Sequence, residues 1–234
     1  MDLVMLDIDG TLTQSFEYDQ EVFALAIAEV VQGPRIDTNL NGYTYTSSLG
    51  VTQEAVRRLT GRLPSEEEIA AVKRRVIWHM QRLYAASPET FSQVPGADRF
   101  LERLRQLDGL GIAIATGCWR DEALFKLNAS GLHADDLLLA TSDDDRDRQR
   151  IMEAARQRAR DRYACPGFEH VVYLGDGPWD LKASQALGYG FIGVGARLQA
   201  LQEAGVRHLH EDYRDIEAVL ASIAAVLKPP INEA

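Results

Sequence analysis

The feature that most constrains the fold is a short apolar run that ends abruptly in acidic residues. Residues 3–6 read Leu-Val-Met-Leu and are followed at once by Asp7, Ile8, Asp9 and Gly10. The run is too short for a helix and ends at an Asp-Gly turn signal, so it predicts a buried strand. Because side chains alternate along a strand, the two acids can face the same way. In a parallel α/β sheet they would lie at the carboxyl end, where ligands bind.

Two interpretations of this acidic pair follow. One is a hairpin, since Asp-Gly between apolar residues is a common hairpin turn. However, residues 12–15 (Leu-Thr-Gln-Ser) make a poor return strand. The other is a binding site, because two carboxylates held together repel each other and favour either a cation or a shared proton. The strands predicted later in the chain favour the binding site.

From residue 95 onward, segments typical of strands and of helices alternate. The apolar runs that predict strands are residues 111–116, 137–141, 170–176 and 190–194. The segments that predict helices are residues 98–107, 121–130, 148–163, 181–187 and about 214–227, before a polar tail with prolines. Alternation of this kind predicts βαβ units, and hence a parallel sheet with helices on both faces.

Residues 15–89 differ from the rest of the chain, because they predict helices and no convincing strand. The helices are expected at residues 17–31, 52–59 and 65–86. The last begins with a capping box, in which Ser65 is followed three positions later by Glu68. We therefore expect a helical subdomain at residues 15–89, inserted into an α/β core made of residues 1–14 and 90–234.

Three predicted strands end in residues that carry chemistry. The first ends at Asp7 and Asp9, the second at Thr116 and the fourth at Asp176, with Asp180 nearby. Because the carboxyl ends of parallel strands share one edge of a sheet, these distant residues are expected to converge. A cluster of carboxylates without cysteine or histidine suits a hard cation, and Mg²⁺ fits best. Mg²⁺ held in this way shares its open positions with phosphate, so a phosphorylated substrate is expected.

These motifs resemble those of the haloacid dehalogenase (HAD) superfamily. Its first motif, Asp-x-Asp-Gly-Thr, matches residues 7–11 without a gap. Its second, an apolar strand that ends in Thr or Ser, matches residues 112–117, and its fourth, Gly-Asp-x-x-x-Asp, matches residues 175–180. The resemblance covers the whole core and points to the phosphoglycolate-phosphatase-like branch. It implies an α/β fold with a Rossmann-like parallel sheet, in which residues 15–89 form a helical cap over the site.

The resemblance also implies a role for each matching residue. Asp7 would be the nucleophile that forms an aspartyl-phosphate. Asp9 would protonate the leaving oxygen and then activate water. Thr116 and Gly117 would bind the phosphoryl group. The implied ligands of Mg²⁺ are Asp7, Asp9 through its backbone carbonyl, Asp176 and, in support, Asp180.

The third motif departs from the family pattern. Family members usually place a lysine before the next helix, but residues 141–152 contain none. We assign Arg148, at the start of the predicted helix, to this role as a substrate-binding residue, and Arg146 is the runner-up. Arginine supplies the charge as a planar fork in place of a compact point charge. The alternative is that both arginines pair only with the acids of residues 143–147 on a solvated surface.

Three further side chains lie beside the motifs. Cys118 follows the second motif, but no histidine is close to it in the sequence, so no catalytic role is expected. Trp119 and Trp179 flank the second and fourth motifs. Either tryptophan can wall the crevice or pack in the core.

The sequence thus predicts a Mg²⁺-dependent phosphatase that acts on a small phosphorylated metabolite. A sugar-phosphate mutase of the same superfamily and a catalytically inactive binding scaffold are the alternatives. The net charge of −10 disfavours nucleic acid as a partner. No apolar run approaches the roughly 18 residues of a membrane helix. The two cysteines lack metal-ligand spacing and no signal peptide is recognised, so a cytoplasmic protein is expected. Substrate identity and oligomeric state stay open.

Overall fold

The computed structural model describes residues 1–133 and 137–227, which contain a six-stranded parallel sheet. In chain order the strands are β1 (Asp2–Leu6), β2 (Leu110–Ala115), β3 (Leu138–Ala140), β4 (Val171–Gly175), β5 (Gly190–Val194) and β6 (Leu209–His210). Across the sheet their order is β3-β2-β1-β4-β5-β6. The prediction of an α/β fold with a Rossmann-like parallel core is confirmed. The polar tail predicted after residue 227 lies outside the described residues.

Helices follow most of the strands and cover the sheet. In chain order they are α1 (Phe16–Val31), α2 (Ser48–Thr60), α3 (Glu66–Ala86), α4 (Ala97–Arg105), α5 (Arg120–Ala129), α6 (Arg148–Tyr163), α7 (Pro178–Ala186), α8 (Leu198–Glu203) and α9 (Ile216–Leu227). Short 3₁₀ turns form at Leu40–Gly42 and Pro88–Phe91. Within the described residues, no helix has both the length and the hydrophobicity needed to cross a bilayer.

Strand β1 occupies the centre of the sheet because its apolar run can be buried on both faces. Residues 3–6 are fully buried, and Leu6 lies opposite both Ile114 of β2 and Leu174 of β4. Continuous apolar runs are typical of parallel strands whose two faces are covered. The strand order reverses beside β1, since β2 and β3 extend the sheet one way and β4 to β6 the other. Such a switch point is where open parallel sheets bind ligands, outside the carboxyl ends of the strands.

Residues 16–91 form helices and loops that pack around an apolar cluster of their own. Its buried members include Val22, Phe23, Ile27, Tyr43, Val51, Val56, Val72, Val76, Met80 and Phe91. Trp119, just before α5, joins this cluster and lies 5.6 Å from Phe23 between ring centroids. Apolar contact therefore links the helical segment to the α/β core. The division of the chain at residues 15–89 stays a prediction.

The two connections between the helical segment and the sheet run side by side. The backbone N–H of Gln14 donates to the carbonyl of Ser92 at 2.9 Å, and the N–H of Val94 donates to the carbonyl of Leu12 at 2.8 Å. Residues 12–14 and 92–94 therefore form a short antiparallel pair where the chain leaves and re-enters the core.

Two helices begin well before their predicted starts because of their caps. Helix α2 begins at Ser48 and not at residue 52, since the hydroxyl of Ser47 accepts a hydrogen bond from a backbone N–H in the first turn. Helix α7 begins at Pro178 and not at residue 181. Proline suits the first position of a helix, and the carboxylate of Asp180 accepts a hydrogen bond from the N–H of Gly177. The short elements α8 and β6 were not predicted.

Candidate active site

Strands β1, β2 and β4 each deliver a polar side chain at one edge of the sheet. Asp7 follows β1, Thr116 follows β2 and Asp176 follows β4, and each is 2% exposed or less. The N–H of Asp7 donates to the carbonyl of Leu174 at 3.0 Å, which fixes Asp7 beside β4. The edge therefore brings together residues that lie far apart in the sequence.

A chamber opens at this edge, and most of the predicted site residues line it. They are Asp7, Asp9, Gly117, Arg148 and Asp176. Thr116 and Asp180 do not line the chamber. The hydroxyl of Thr116 accepts a hydrogen bond from the N–H of Cys118 at 3.3 Å, so it lies within the turn that follows β2.

Gly10 allows the first motif to pass close to Asp176. Its φ of 76° lies in the left-handed region, which favours glycine. A side-chain carbon at this position would lie 1.7 Å from Oδ2 of Asp176. Both the backbone conformation and the space therefore require glycine. The loop of the first motif is held directly against the carboxylate that β4 contributes.

Asp7, Asp176 and Asp180 form a compact group of carboxylates. One oxygen from each lies within 4.8 Å of the other two. Within the described residues, Oδ1 of Asp7 and Oδ1 of Asp176 are buried without a hydrogen-bond partner. Burial raises the pKa of Asp176 well above its usual range, and the charges of Asp180 and Asp7 add to the effect. Buried carboxylate oxygens of this kind fit a hard divalent cation such as Mg²⁺.

Arg148 forms ion pairs with both Asp180 and the predicted nucleophile, Asp7. Nη1 of Arg148 donates to Oδ1 of Asp180 at 2.6 Å and lies 3.4 Å from Oδ2 of Asp7. Burial raises the pKa of Asp180 to about 7, although Arg148 opposes the shift. Burial opposes the charge of Arg148, but Asp180 and Asp7 outweigh it and raise the pKa of Arg148 above its usual range.

Arg146, the alternative residue for the third motif, points elsewhere. Its Nη1 donates to the side chain of Gln53 in α2 at 3.0 Å, and its guanidinium lies over the ring of Tyr45. The partners of Arg148 are Asp180 and Asp7, and not the acids of residues 143–147. Of the two arginines, Arg148 places its charge beside the predicted nucleophile.

The carboxylate of Asp9 belongs to a different buried group. Its Oδ2 accepts hydrogen bonds from Nζ of Lys126 at 2.9 Å and from Sγ of Cys118 at 2.7 Å, and its Oδ1 accepts one from the hydroxyl of Ser15. Nζ of Lys126 also lies 2.6 Å from Oδ1 of Asp19 in α1. Burial favours the neutral acid, but the charge of Lys126 and these hydrogen bonds lower the pKa of Asp9. If Asp9 ligates a metal, its backbone carbonyl is therefore the available group.

Lys126 is a site residue that the sequence analysis missed. It is fully buried, and although burial opposes its charge, Asp19 and Asp9 raise its pKa well above the usual range. Its position on α5 could have indicated this role, because the nearby residues Ala123 and Leu127 are apolar and both are fully buried. A lysine on the inward face of a helix is rarely found without a paired acid.

Cys118 carries no sign of the thiolate that a catalytic cysteine needs. Burial raises the pKa of Cys118 well above its usual range, and the charge of Asp9 adds to this shift. The side chain instead donates its proton to Asp9 at 2.7 Å. A neutral buried thiol of this kind is a poor nucleophile.

The wall of the chamber opposite the sheet comes from α1, α2 and the loop between them. The apolar part of this wall consists of Phe16, Phe23, Ile36, Leu40 and Val51. The start of α2 is hydrogen-bonded to the core, since the N–H of Ser48 donates to the carbonyl of Gly117 at 2.7 Å. The next N–H, from Leu49, donates to Oγ of Ser142 at 2.8 Å. The helical segment therefore contacts the second motif directly.

The two tryptophans beside the motifs take different places. Trp119 is 1% exposed and belongs to the apolar cluster of the helical segment. Trp179 lines the chamber, and its ring stacks on Phe16 with 5.9 Å between centroids. Trp119 therefore packs in a core, whereas Trp179 forms part of the chamber wall.

Fold and site together define an α/β protein with an acid-rich chamber at the switch point of a parallel sheet. A family model described as haloacid dehalogenase-like hydrolase matches residues 1–188. The chain therefore belongs to the haloacid dehalogenase-like hydrolases. The resemblance drawn from the motifs is confirmed.

Solved structures share this fold across almost the whole chain. A hydrolase from Pseudomonas syringae is 23% identical with a TM-score of 0.72, over 95% of this chain and 99% of that one. A candidate beta-phosphoglucomutase from Bacteroides vulgatus is 18% identical with a TM-score of 0.65, over 97% and 90%. A predicted phosphoglycolate phosphatase from Haemophilus somnus 129pt is 18% identical with a TM-score of 0.58, over 93% and 97%. No curated protein matches the chain.

Proposed function

We propose that this hydrolase is a Mg²⁺-dependent phosphatase that acts on a small phosphorylated metabolite through an aspartyl-phosphate on Asp7. The main support for this proposal is the set of groups that surround the carboxylate of Asp7. Its Oδ1 has no hydrogen-bond partner among the described residues, and its carboxylate lies beside Arg148, Asp176 and Asp180. A nucleophilic oxygen, a cation for the phosphoryl group and carboxylates for a metal are what phosphoryl transfer needs in one place.

Two half-reactions use Asp7 and Asp9. In the first, an oxygen of Asp7 attacks phosphorus, the bond from phosphorus to the alcohol oxygen breaks, and that oxygen takes a proton from Asp9. In the second, ionised Asp9 takes a proton from a water molecule whose oxygen attacks phosphorus. The bond to Asp7 then breaks and phosphate leaves. The lowered pKa of Asp9 favours the ionised form that the second half-reaction uses. It disfavours the protonated form that the first half-reaction uses, which the proton taken from water regenerates.

The phosphoryl group would be held by the residues around Asp7. Arg148 would offset its negative charge and Gly117 would bind one of its oxygens, since both residues line the chamber. Thr116 is proposed to bind a second oxygen, although its hydroxyl lies within the turn after β2 and outside the lining. A side-chain carbon at Gly117 would lie 2.8 Å from Nη2 of Arg148, so glycine leaves room for the guanidinium. Mg²⁺ would supply further neutralisation of the phosphoryl charge when held by Asp7, the backbone carbonyl of Asp9, Asp176 and, in support, Asp180.

The helical segment is proposed to act as a cap. Residues of α1 and α2 wall the chamber, and the hydrogen bond from Ser48 to Gly117 brings α2 onto the turn after β2. A cap in this position would exclude water from the phosphoryl group during the first half-reaction. Residues 15–89 would then carry the contacts to the alcohol part of the substrate.

A sugar-phosphate mutase is the alternative within the family, and one solved relative is a candidate beta-phosphoglucomutase. A mutase moves phosphate between two positions of one sugar, so it must hold a second anionic group besides the one that reacts. Among the described residues that line the chamber, Arg148 is the single cation, and Asp180 and Asp7 already engage it. This charge distribution favours a phosphatase.

The deciding measurement is phosphate release from p-nitrophenyl phosphate, with Mg²⁺ and after its removal by a chelator. We expect turnover with Mg²⁺, loss on chelation and recovery when Mg²⁺ is restored. Asp7→Asn is expected to lower kcat by at least about 1000-fold, because the amide cannot serve as the nucleophile. Its fold should persist, since the change removes one of several clustered charges.

Asp2→Asn is the matched control, because Asp2 lies on the same strand at its opposite end. Its carboxylate accepts a hydrogen bond from the N–H of His170 at 3.1 Å, far from the chamber's lining. This variant should retain the wild-type kcat. Full activity in Asp7→Asn would refute the assignment of the nucleophile, and no turnover by the wild-type chain would favour an inactive scaffold.

A further inference from the structure

The wall that the helical segment contributes to the chamber is largely apolar. Phe23 and Val51 are buried within the cluster of the helical segment and also face the chamber. Ile36 and Leu40 extend the apolar wall along the loop between α1 and α2. The part of the substrate that reaches this wall is the alcohol, because the phosphoryl group must lie at Asp7.

The charged groups on this wall are acidic. Asp19 and Asp37 line the chamber from the helical side. Among the described residues, Arg148 is the single cation in the lining, and its Nη1 is bonded to Asp180 at 2.6 Å. No described lysine or arginine of the helical segment lines the chamber.

Two other cations come near the chamber, and each is paired with at least one acid. Lys126 is fully buried between Asp9 and Asp19, with Nζ at 2.9 Å and 2.6 Å from their oxygens. The guanidinium of Arg197 donates through Nη2 to Asp176 and stacks on the ring of Phe16, while its Nε and Nη1 are buried without a hydrogen-bond partner in the described part of the chain. Neither residue lines the chamber.

The charges in and around the chamber determine which kind of alcohol group the chamber can bind. A carboxylate or a second phosphate on the alcohol would lose its hydration against apolar side chains. It would also face the carboxylates of Asp37, which is exposed, and of Asp19, which Lys126 already pairs. Without a cation to pair with, a buried anion is strongly disfavoured. A neutral alcohol with an apolar face instead gains from contact with Phe23, Ile36 and Val51. Gln20 and Thr38, which also line the chamber, can hydrogen-bond to neutral hydroxyl groups.

We propose that the substrates are phosphate monoesters of neutral alcohols, which carry no second anionic group and turn an apolar face to the wall formed by Phe23, Ile36, Leu40 and Val51. This inference rests on the proposed phosphatase activity. The reaction is the same hydrolysis, in which the ester and water give the neutral alcohol and phosphate.

A matched pair of esters tests the inference on the full chain with Mg²⁺. Benzyl phosphate and 4-carboxybenzyl phosphate share the reacting CH₂–O–P group and differ by one remote carboxylate. We expect kcat/KM for benzyl phosphate to exceed that for 4-carboxybenzyl phosphate by at least about 10-fold, because the carboxylate finds no partner. 2-Phosphoglycolate, which is small and carries a carboxylate, should be a poorer substrate than benzyl phosphate.

A change of charge in the wall gives an independent measurement. Leu40→Lys places a cation beside the alcohol and is expected to reduce or reverse the preference between the two benzyl esters. Leu40→Met, which has a similar length and no charge, should keep the wild-type preference. Leu40 lies in a 3₁₀ turn and is partly exposed, so both variants are expected to fold.

The outcomes separate this inference from the proposed function. Equal or faster hydrolysis of 4-carboxybenzyl phosphate, or a preference for 2-phosphoglycolate, overturns the inference and leaves the phosphatase activity standing. A preference for benzyl phosphate that Leu40→Lys does not alter also overturns it, because the charge of the wall would not be its cause. If p-nitrophenyl phosphate and both benzyl esters are inert with Mg²⁺, both the phosphatase proposal and this inference are overturned.

Discussion

At the scale of single residues, the contacts of Lys126 link Asp9, the proposed acid–base residue, to the helical segment. Its ammonium lies 2.9 Å from Asp9, which belongs to the first motif, and 2.6 Å from Asp19, which lies in the first turn of α1. One buried cation thus compensates two acids from different parts of the chain. Removing one partner of a buried ion pair leaves an uncompensated charge, which is costly.

Lys126→Met removes this charge while keeping a side chain of similar length. We expect the free energy of unfolding to fall by about 3 kcal/mol or more, because Asp9 and Asp19 lose their counter-charge. We also expect kcat to fall by at least about 10-fold with little change in KM, since Lys126 touches Asp9 but does not line the chamber. Urea unfolding and steady-state kinetics measure the two effects.

Lys182→Met is the control for this prediction, because Lys182 is an exposed lysine on α7. It should match the wild-type protein in both measurements. If Lys126→Met and Lys182→Met behave alike, the contacts of Lys126 have no bearing on Asp9.

The motif acids could be predicted from the sequence, but Lys126 could not. The acids of the first and fourth motifs stand beside strand ends, so local pattern alone placed them at one edge of the sheet. Lys126 lies 117 residues from Asp9 in the sequence, and its pairing arises only when α5 packs beside the first motif. No local pattern encodes that contact, although a lysine on an apolar helix face indicates that some acid must pair with it.

At the scale of elements, Glu122 joins α5 to α2. Its Oε2 accepts hydrogen bonds from the N–H of Trp119 and from the hydroxyl of Ser48, each at 3.0 Å. Burial raises the pKa of Glu122 to about 8, and the charge of Asp19 adds to the shift. The folded protein therefore binds a proton here that the unfolded chain releases above about pH 4.5, the ordinary pKa of glutamate.

This proton makes stability depend on pH with a definite sign. Between about pH 4.5 and pH 8 the unfolded chain binds fewer protons at Glu122, so the free energy of unfolding falls as the pH rises. Glu122→Gln stays neutral at every pH and should not show this fall. We expect the variant and the wild-type protein to be about equally stable near pH 5. By pH 8 the variant should be more stable, by on the order of 2 kcal/mol.

Thermal or urea unfolding at pH 5 and pH 8 measures this difference. Glu169→Gln, a change outside the α2–α5 contact, serves as the control and should track the wild-type curve. A Glu122→Gln variant that is less stable than the wild-type protein at pH 8 would contradict the prediction.

Element-level predictability depends on how an element is stabilised. Strands β1, β2 and β4 are buried on both faces, so their continuous apolar runs made them predictable from the sequence. Strand β6 has two residues, Leu209–His210, and is held to β5 largely by the backbone bonds from Gly193 to His208 and from Gly195 to His210, both 2.9 Å. Backbone pairing at the edge of a sheet needs no side-chain pattern, so the sequence of β6 gave no pattern from which a strand could be predicted.

At the scale of the whole molecule, the acidic groups at the sheet edge connect metal binding to folding. Asp7, Asp176 and Asp180 are gathered by folding, and their mutual repulsion opposes it. A cation that binds this group binds the folded state and therefore stabilises it. The gain is about 2.7 kcal/mol when the free ion stands at 100 times its Kd.

We expect Mg²⁺ to raise the Tm of the wild-type chain by roughly 5–10 °C at such a concentration, given about 2–4 °C per kcal/mol for a chain of this size. Asp176→Asn should lose most of this shift. Calorimetry with and without MgCl₂ measures it, with NaCl of the same ionic strength as the control for screening. An equal shift in Asp176→Asn, or a shift that NaCl reproduces, would show that Mg²⁺ does not act at this group.

The paired connections at residues 12–14 and 92–94 lie where the helical segment joins the core. Two backbone hydrogen bonds, from Gln14 to Ser92 and from Val94 to Leu12, tie the outgoing and returning chains together. If the helical segment acts as the proposed cap, chains tied in this way would form one hinge, about which the segment turns as a unit. The apolar wall and Asp19 would then move away from Asp7 together, so that a single opening would both release the alcohol of one ester and admit the next.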